Sequence, residues 1–270
     1  VGGNNSSTSF TGVISGAGAL TKSGSGTLTL SGTSTFTGAT AITAGKIAIS
    51  SNAALGATNG ATTVSSGAAL SISGSITVAE PITISGTGIS SGGAIVFTGG
   101  ANTYSGAISL GATSTIVSSS GTQTISGATN GGQILTITTS DDLVISGIVG
   151  GSTELSSYTI NSSGDATINV NVTTSGNQSY TASDGVALSG ARTFEGGTIT
   201  FASTTTGDNN LTITGNLDVD AAISGIAVLG VSGTSNLGAN VSSTGTQTYT
   251  GAVTLSAAVT LTTTSDVITF

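Results

Sequence analysis

The chain has 270 residues, of which 5% are charged and 4% aromatic, with a mean hydropathy of +0.38 and a net charge of −8. That composition is apolar enough to fold, and the absence of Cys and His removes disulfides, thiolate and imidazole chemistry, and metal sites built on those ligands. Nucleic acid and anionic membranes are poor partners for a chain whose residues 141–270 carry nearly all the acids, and no apolar run approaches the ~18 residues of a membrane span.

Small and β-branched residues dominate, which suits a thin, regularly stacked β structure better than a thick globular core. Ser9-Phe10-Thr11-Gly12 sets a pattern of aromatic, hydroxyl residue and Gly that returns at Phe36-Thr37-Gly38, Tyr104-Ser105-Gly106 and Tyr249-Thr250-Gly251. Stacked coils would place these aromatics inside as a ladder, with Gly turning the chain at a corner. The chain contains no Met, so Val1 is not a translation start and the sequence reads as a processed or excised piece.

From Gly16 to Ser50 short alternating segments, Thr27-Leu28-Thr29-Leu30, Ala41-Ile42-Thr43-Ala44 and Lys46-Ile47-Ala48-Ile49, are separated by Gly. With Leu20, Lys22, Gly24, Gly26, Thr27, Leu28, Leu30, Gly32, Gly38, Ile42, Ala44 and Gly45, this passage resembles the passenger-associated transport repeat of bacterial autotransporter adhesins; Ile47 stands where that pattern usually has Leu. The resemblance implies a right-handed parallel β-helix exported to the bacterial cell surface or beyond, with adhesive or aggregative roles. From about residue 101 onward, segments such as Ile134-Leu135-Thr136-Ile137 and Leu211-Thr212-Ile213 resemble the degenerate strand repeats of filamentous-haemagglutinin-like surface proteins. Residues 1–270 thus read as one continuous solenoid, autotransporter-like over 1–100 and degenerate over 101–270, with the sole proline, Pro81, at a turn or strand edge.

One decapeptide recurs: Val117 to Ser126, Val172 to Thr181 and Val241 to Thr250 share Val, a hydroxyl-rich turn with Gly, and then Gln at Gln123, Gln178 and Gln247. Coils of about 20 residues, stacked at ~4.8 Å, predict roughly 13 coils and a rod about 60 Å long, with the decapeptide returning every two or three coils. The spacings between copies share no single coil length, so the loops must vary.

Signs of chemistry are sparse. Asp141-Asp142 and Asp218-Val219-Asp220 are the acidic pairs, and Asp218 and Asp220 fall on the same outward face of a strand; a hard cation such as Ca²⁺ is the one metal they suggest. No cofactor is implied, and carboxylate catalysis would need acids converging on one cleft. Lys22 and Ser23 are adjacent and point to opposite sides of a strand, which rules them out as a nucleophile and base. Thr-x-Thr at Thr136/Thr138 and Thr212/Thr214 opens a further reading as an ice- or glycan-binding face. The expectation is therefore a non-enzymatic, extracellular structural or adhesive solenoid. It would be a fibre subunit pairing head to tail with itself through uncapped ends such as Asp266 to Phe270, or a stalk segment meeting host or bacterial surfaces.

Overall fold

The computed structural model describes residues 1–270 and is a parallel β-solenoid of about 13 turns, with one short 3-10 turn, Ile89–Ser91, as its only helical element. Each full coil has three faces. Face I carries strands such as Thr27–Leu30, Gly45–Ile49 and Ala68–Ser73. Face II is a ten-stranded sheet running from Thr77–Val78 to Leu261–Thr263, and face III includes Leu20–Lys22, Thr40–Ile42 and Thr62–Val64. The chain runs I, II, III and back to I. Three long strands, Ile108–Ser118, Arg192–Phe201 and Leu211–Val219, carry it across the III–I corner without a break.

Alternation of apolar and hydroxyl residues produces the wall. On face I, Leu28, Ile47, Leu70, Ile95, Ile116, Ile137, Ile160, Tyr180, Phe201, Val219 and Leu237 form one inward column, each paired in register with the next coil. All are buried. A period of two sends the intervening residues outward, so a one-residue slip in any coil would turn this column to solvent.

Coil length varies as the sequence requires. Phe201 pairs with Val219, Val219 with Leu237 and Leu237 with Leu255, at eighteen-residue intervals. Leu70 pairs with Ile95, twenty-five residues on. The extra length there is a loop outside the wall containing Ile89–Ser91, where Ser90 and Ser91 take positive φ of 49° and 62°. Loops absorb the variation while strand register is kept.

Of the aromatics expected inside, Phe36, Tyr104 and Tyr249 are buried and Phe10 on the first coil is exposed; Tyr180 and Phe194 are buried as well. The continuous ladder is shorter than the sequence pattern suggests. Tyr158, Tyr180, Phe194 and Phe201 form one cluster, with Tyr180 stacked on Phe201 at 5.5 Å and set edge-on to Phe194 at 5.2 Å. The aromatic–hydroxyl–Gly pattern falls on different faces in different coils, so its copies do not all lie above one another.

Candidate functional site: side-chain clamps at the corners

A corner turns the strand out of its ladder and leaves backbone carbonyls facing inward, where water cannot reach them. Long polar side chains fill this role. Gln178 is buried, and its Nε2 donates to the carbonyls of Val172 at 3.4 Å and Glu195 at 2.7 Å and to Thr174 Oγ1 at 3.1 Å. Gln247 repeats the arrangement with Val241 O at 3.3 Å, Thr262 O at 2.8 Å and Ser243 Oγ at 3.2 Å. The hydroxyls of Tyr180 and Tyr249 donate to the Oε1 of these glutamines at 2.7 and 3.0 Å.

The third copy of the decapeptide departs from the other two. Val117 is only half-buried and Ser118 takes the inward position, so the phase differs by one residue before the turn. Ile125 stands in the tyrosine slot and has no hydroxyl. Gln123 Oε1 accepts instead from Asn102, from its N–H at 3.3 Å and its Nδ2 at 3.2 Å, while Gln123 Nε2 donates to the carbonyls of Gly100, Ser120 and Gly121. The three copies also turn three different corners: Gln123 leads from face I to II, Gln178 from III to I, and Gln247 from II to III. The expected recurrence at whole coils is thereby corrected. The decapeptide encodes a turn, and any corner can use it.

Lys22 is the corresponding clamp near the N-terminal end. It is 1% exposed, and its ammonium donates to the carbonyls of Ser23 at 3.1 Å, Gly24 at 2.6 Å and, one coil on, Ala44 at 3.2 Å. Burial lowers its pKa from the ordinary lysine value. Gly24 and Gly45 hold this corner at φ of 76° and 67°. A Cβ on Gly45 would lie 2.4 Å from the carbonyls of Gly24 and Gly26 and 2.8 Å from the Lys22 ammonium. Leu28 pairs with Ile47 across the same two coils, so the passage singled out in the sequence is two successive copies of this corner with their four flanking strands. Residues 20–49 match the passenger-associated-transport-repeat family.

Within that transport repeat, Lys22, Gly24, Ala44 and Gly45 are the parts of a single carbonyl clamp, and Leu28, Leu30, Ile42, Ile47 and Ile49 are its share of the core. The match covers residues 20–49 of the 270. Comparison with curated proteins and with solved structures gave no match.

The acidic pairs lie far apart. Asp141 and Asp142 sit at a face I–II corner, where Asp141 Oδ2 accepts from Gly121 N at 3.2 Å and Asp142 Oδ1 from Asp165 N at 3.0 Å. Asp218 faces outward from face I, its Oδ1 accepting from Asn236 Nδ2 at 2.9 Å, and Asp220 follows at the exposed end of that strand. The shared outward direction of Asp218 and Asp220 is as expected, and the structure does not bring either of them to Asp141 or Asp142. No three His, Cys, Asp or Glu side chains converge anywhere in the chain.

Both ends of the solenoid present open surfaces. Thr8–Phe10 pairs only with Thr27–Leu30, above a wholly apolar cavity of about 240 Å³ lined by Val1, Phe10, Ile14, Leu20, Leu28 and Leu30. At the other end Val253–Leu255 pairs only with Ser235–Leu237, and Leu255 and Phe270 are 57% and 73% exposed. No helix in the chain is long and apolar enough to cross a membrane.

Proposed function

We propose that this chain is a structural and adhesive segment of a surface-displayed autotransporter passenger, a stiff β-solenoid that extends by adding coils at its ends. The observation that carries the reading is the transport repeat at residues 20–49, wound into the same uninterrupted ladder as the rest of the chain. Unpaired strand edges over an apolar core favour one partner, another parallel coil, supplied by further chain or by a neighbouring copy. Electron microscopy across a concentration series tests this. Filaments with an axial repeat near ~60 Å make the chain a fibre subunit. Single short rods at every concentration sink self-assembly and leave the stalk reading, which display of the chain on a bacterial surface and a cell-adhesion assay then test.

A second reading, a face that binds glycan or ice, is favoured by a regularity hidden in the sequence. On face II the outward positions Thr77, Thr103, Thr124, Val144, Thr167, Ala187, Thr206 and Ser224 stand in register, one per coil and without charge. Thermal hysteresis and glycan-array binding of the purified chain test it, and silence in both ends it.

A further inference from the structure

Glu80 occupies an interior position that the solenoid is poorly built to hold. It lies on the turn from Thr77–Val78 to Ile82–Gly86 and is only 3% exposed. Gly60 and Gly106 stand at the equivalent corner of the coils on either side, and a Cβ on Gly106 would lie 2.1 Å from the Glu80 carbonyl oxygen. One carboxyl oxygen, Oε1, accepts from the Thr62 hydroxyl at a long 3.5 Å, and Oε2 has no partner. Thr40, in register with Thr62 on the adjacent coil, also has a buried hydroxyl without a partner.

No cation is within reach. The strands around this corner, Thr62–Val64, Thr77–Val78, Ile82–Gly86, Thr103–Tyr104 and Ile108–Ser118, contain no Lys, Arg, Asp or Glu. Tyr104 is the one titratable group facing Glu80, and its neutral hydroxyl donates to the Glu80 backbone oxygen at 2.7 Å. A protonated carboxyl is neutral and loses little by being buried beside the Thr62 hydroxyl. An ionised one is a charge in a dry wall with a single weak donor.

We propose that Glu80 is a proton-operated latch: while protonated it keeps the Glu80-Pro81 corner closed within the wall, and on ionising it leaves for water and opens that corner. Desolvation raises the carboxyl to about 7 in the folded chain, with the Thr62 hydroxyl pulling it down by less. An unfolded or opened corner ionises near the ordinary 4.5, so closure is fully favoured below that pH, weakens as pH rises to 7 and levels off above it. The latch is independent of what the outer faces bind.

Hydrogen exchange on the whole chain, corrected for intrinsic rates, tests this at the amides of Thr62, Ile82 and Gly106, which bond to Pro81, Ala107 and Val78 across this corner. Between pH 4.5 and 8 their protection should fall roughly 150-fold in the native chain and stay flat in Glu80→Gln. Parallel profiles for the two proteins would overturn the proposal. A carboxyl titration of the folded native chain, labelled with ¹³C at glutamate, needs no variant: one of the three glutamates should titrate near 7, and normal titration of all three would equally overturn it.

Discussion

The Tyr180 hydroxyl donates to Gln178 Oε1 at 2.7 Å from two residues further along the same strand, and Tyr249 does the same to Gln247 at 3.0 Å. A strand period of two places both side chains inside, so the tyrosine holds the amide oxygen while the amide nitrogen is left to bind the carbonyls of the corner. Two links follow from one local pattern. The first is a turn whose backbone is satisfied, and the second is a tie to the next coil through Glu195 O or Thr262 O.

Removing that hydroxyl strands the glutamine oxygen in the wall. Tyr180→Phe and Tyr249→Phe should each cost about 1–3 kcal/mol, and the double variant should show the sum, because the two corners share no partner. Chemical denaturation followed by circular dichroism measures this. A neutral result for both would mean that the glutamine corners are not held by this bond.

Lys22→Met keeps the length of the side chain and removes the ammonium from three carbonyls, for an expected loss of about 1–3 kcal/mol. Gly45→Ala attacks the same corner from the backbone, through a positive φ and a Cβ with no room beside Gly24 and Gly26. It should destabilise by more than ~1 kcal/mol. Exchange at Thr43 and Lys46, whose amides bond to Lys22 and Gly26, localises the damage.

Phe201 lies under Tyr180 in the aromatic cluster, whereas Phe10 is 45% exposed. Phe201→Ala should cost about 3–5 kcal/mol, and Phe10→Ala should stay within about 0.5 kcal/mol. Equal losses on thermal melting would contradict the assignment of the core.

All four tyrosines are buried, and burial raises each phenol above its ordinary value of 10. Folded phenols stay protonated where unfolded ones ionise, so stability is present below pH 10 and is lost as pH climbs beyond it. Alkaline titration should show no phenolate until the chain unfolds, then all of it in step with the loss of strand signal. Phenolate appearing in the folded protein near pH 10 would contradict this.

The transport-repeat passage, the alternation of Leu and Ile with Thr, and the Gly-rich turns are local signals, and they were enough to read parallel coils of varying length from the sequence. Gln123, Gln178 and Gln247 were visible as a repeated slot, but their role as carbonyl clamps was not, because it depends on which backbone groups the turn points inward. Lys22 was visible as part of a motif and gave no sign of being buried. For Asp218 and Asp220 the outward direction followed from strand period, whereas the bonding of Asp218 to Asn236, eighteen residues away, depends on the length of the intervening coil.

The sequence by itself determined that the chain is a stack of short parallel strands with an inside and an outside, because side-chain alternation and turn-forming Gly act over a few residues. Only the tertiary structure decided which corner each turn makes, which residues stand above one another and where Glu80 comes to rest. Those relations depend on the length of every loop between two coils and on which corner absorbs it, since intervals of eighteen and of twenty-five residues both return an inward side chain to the same column.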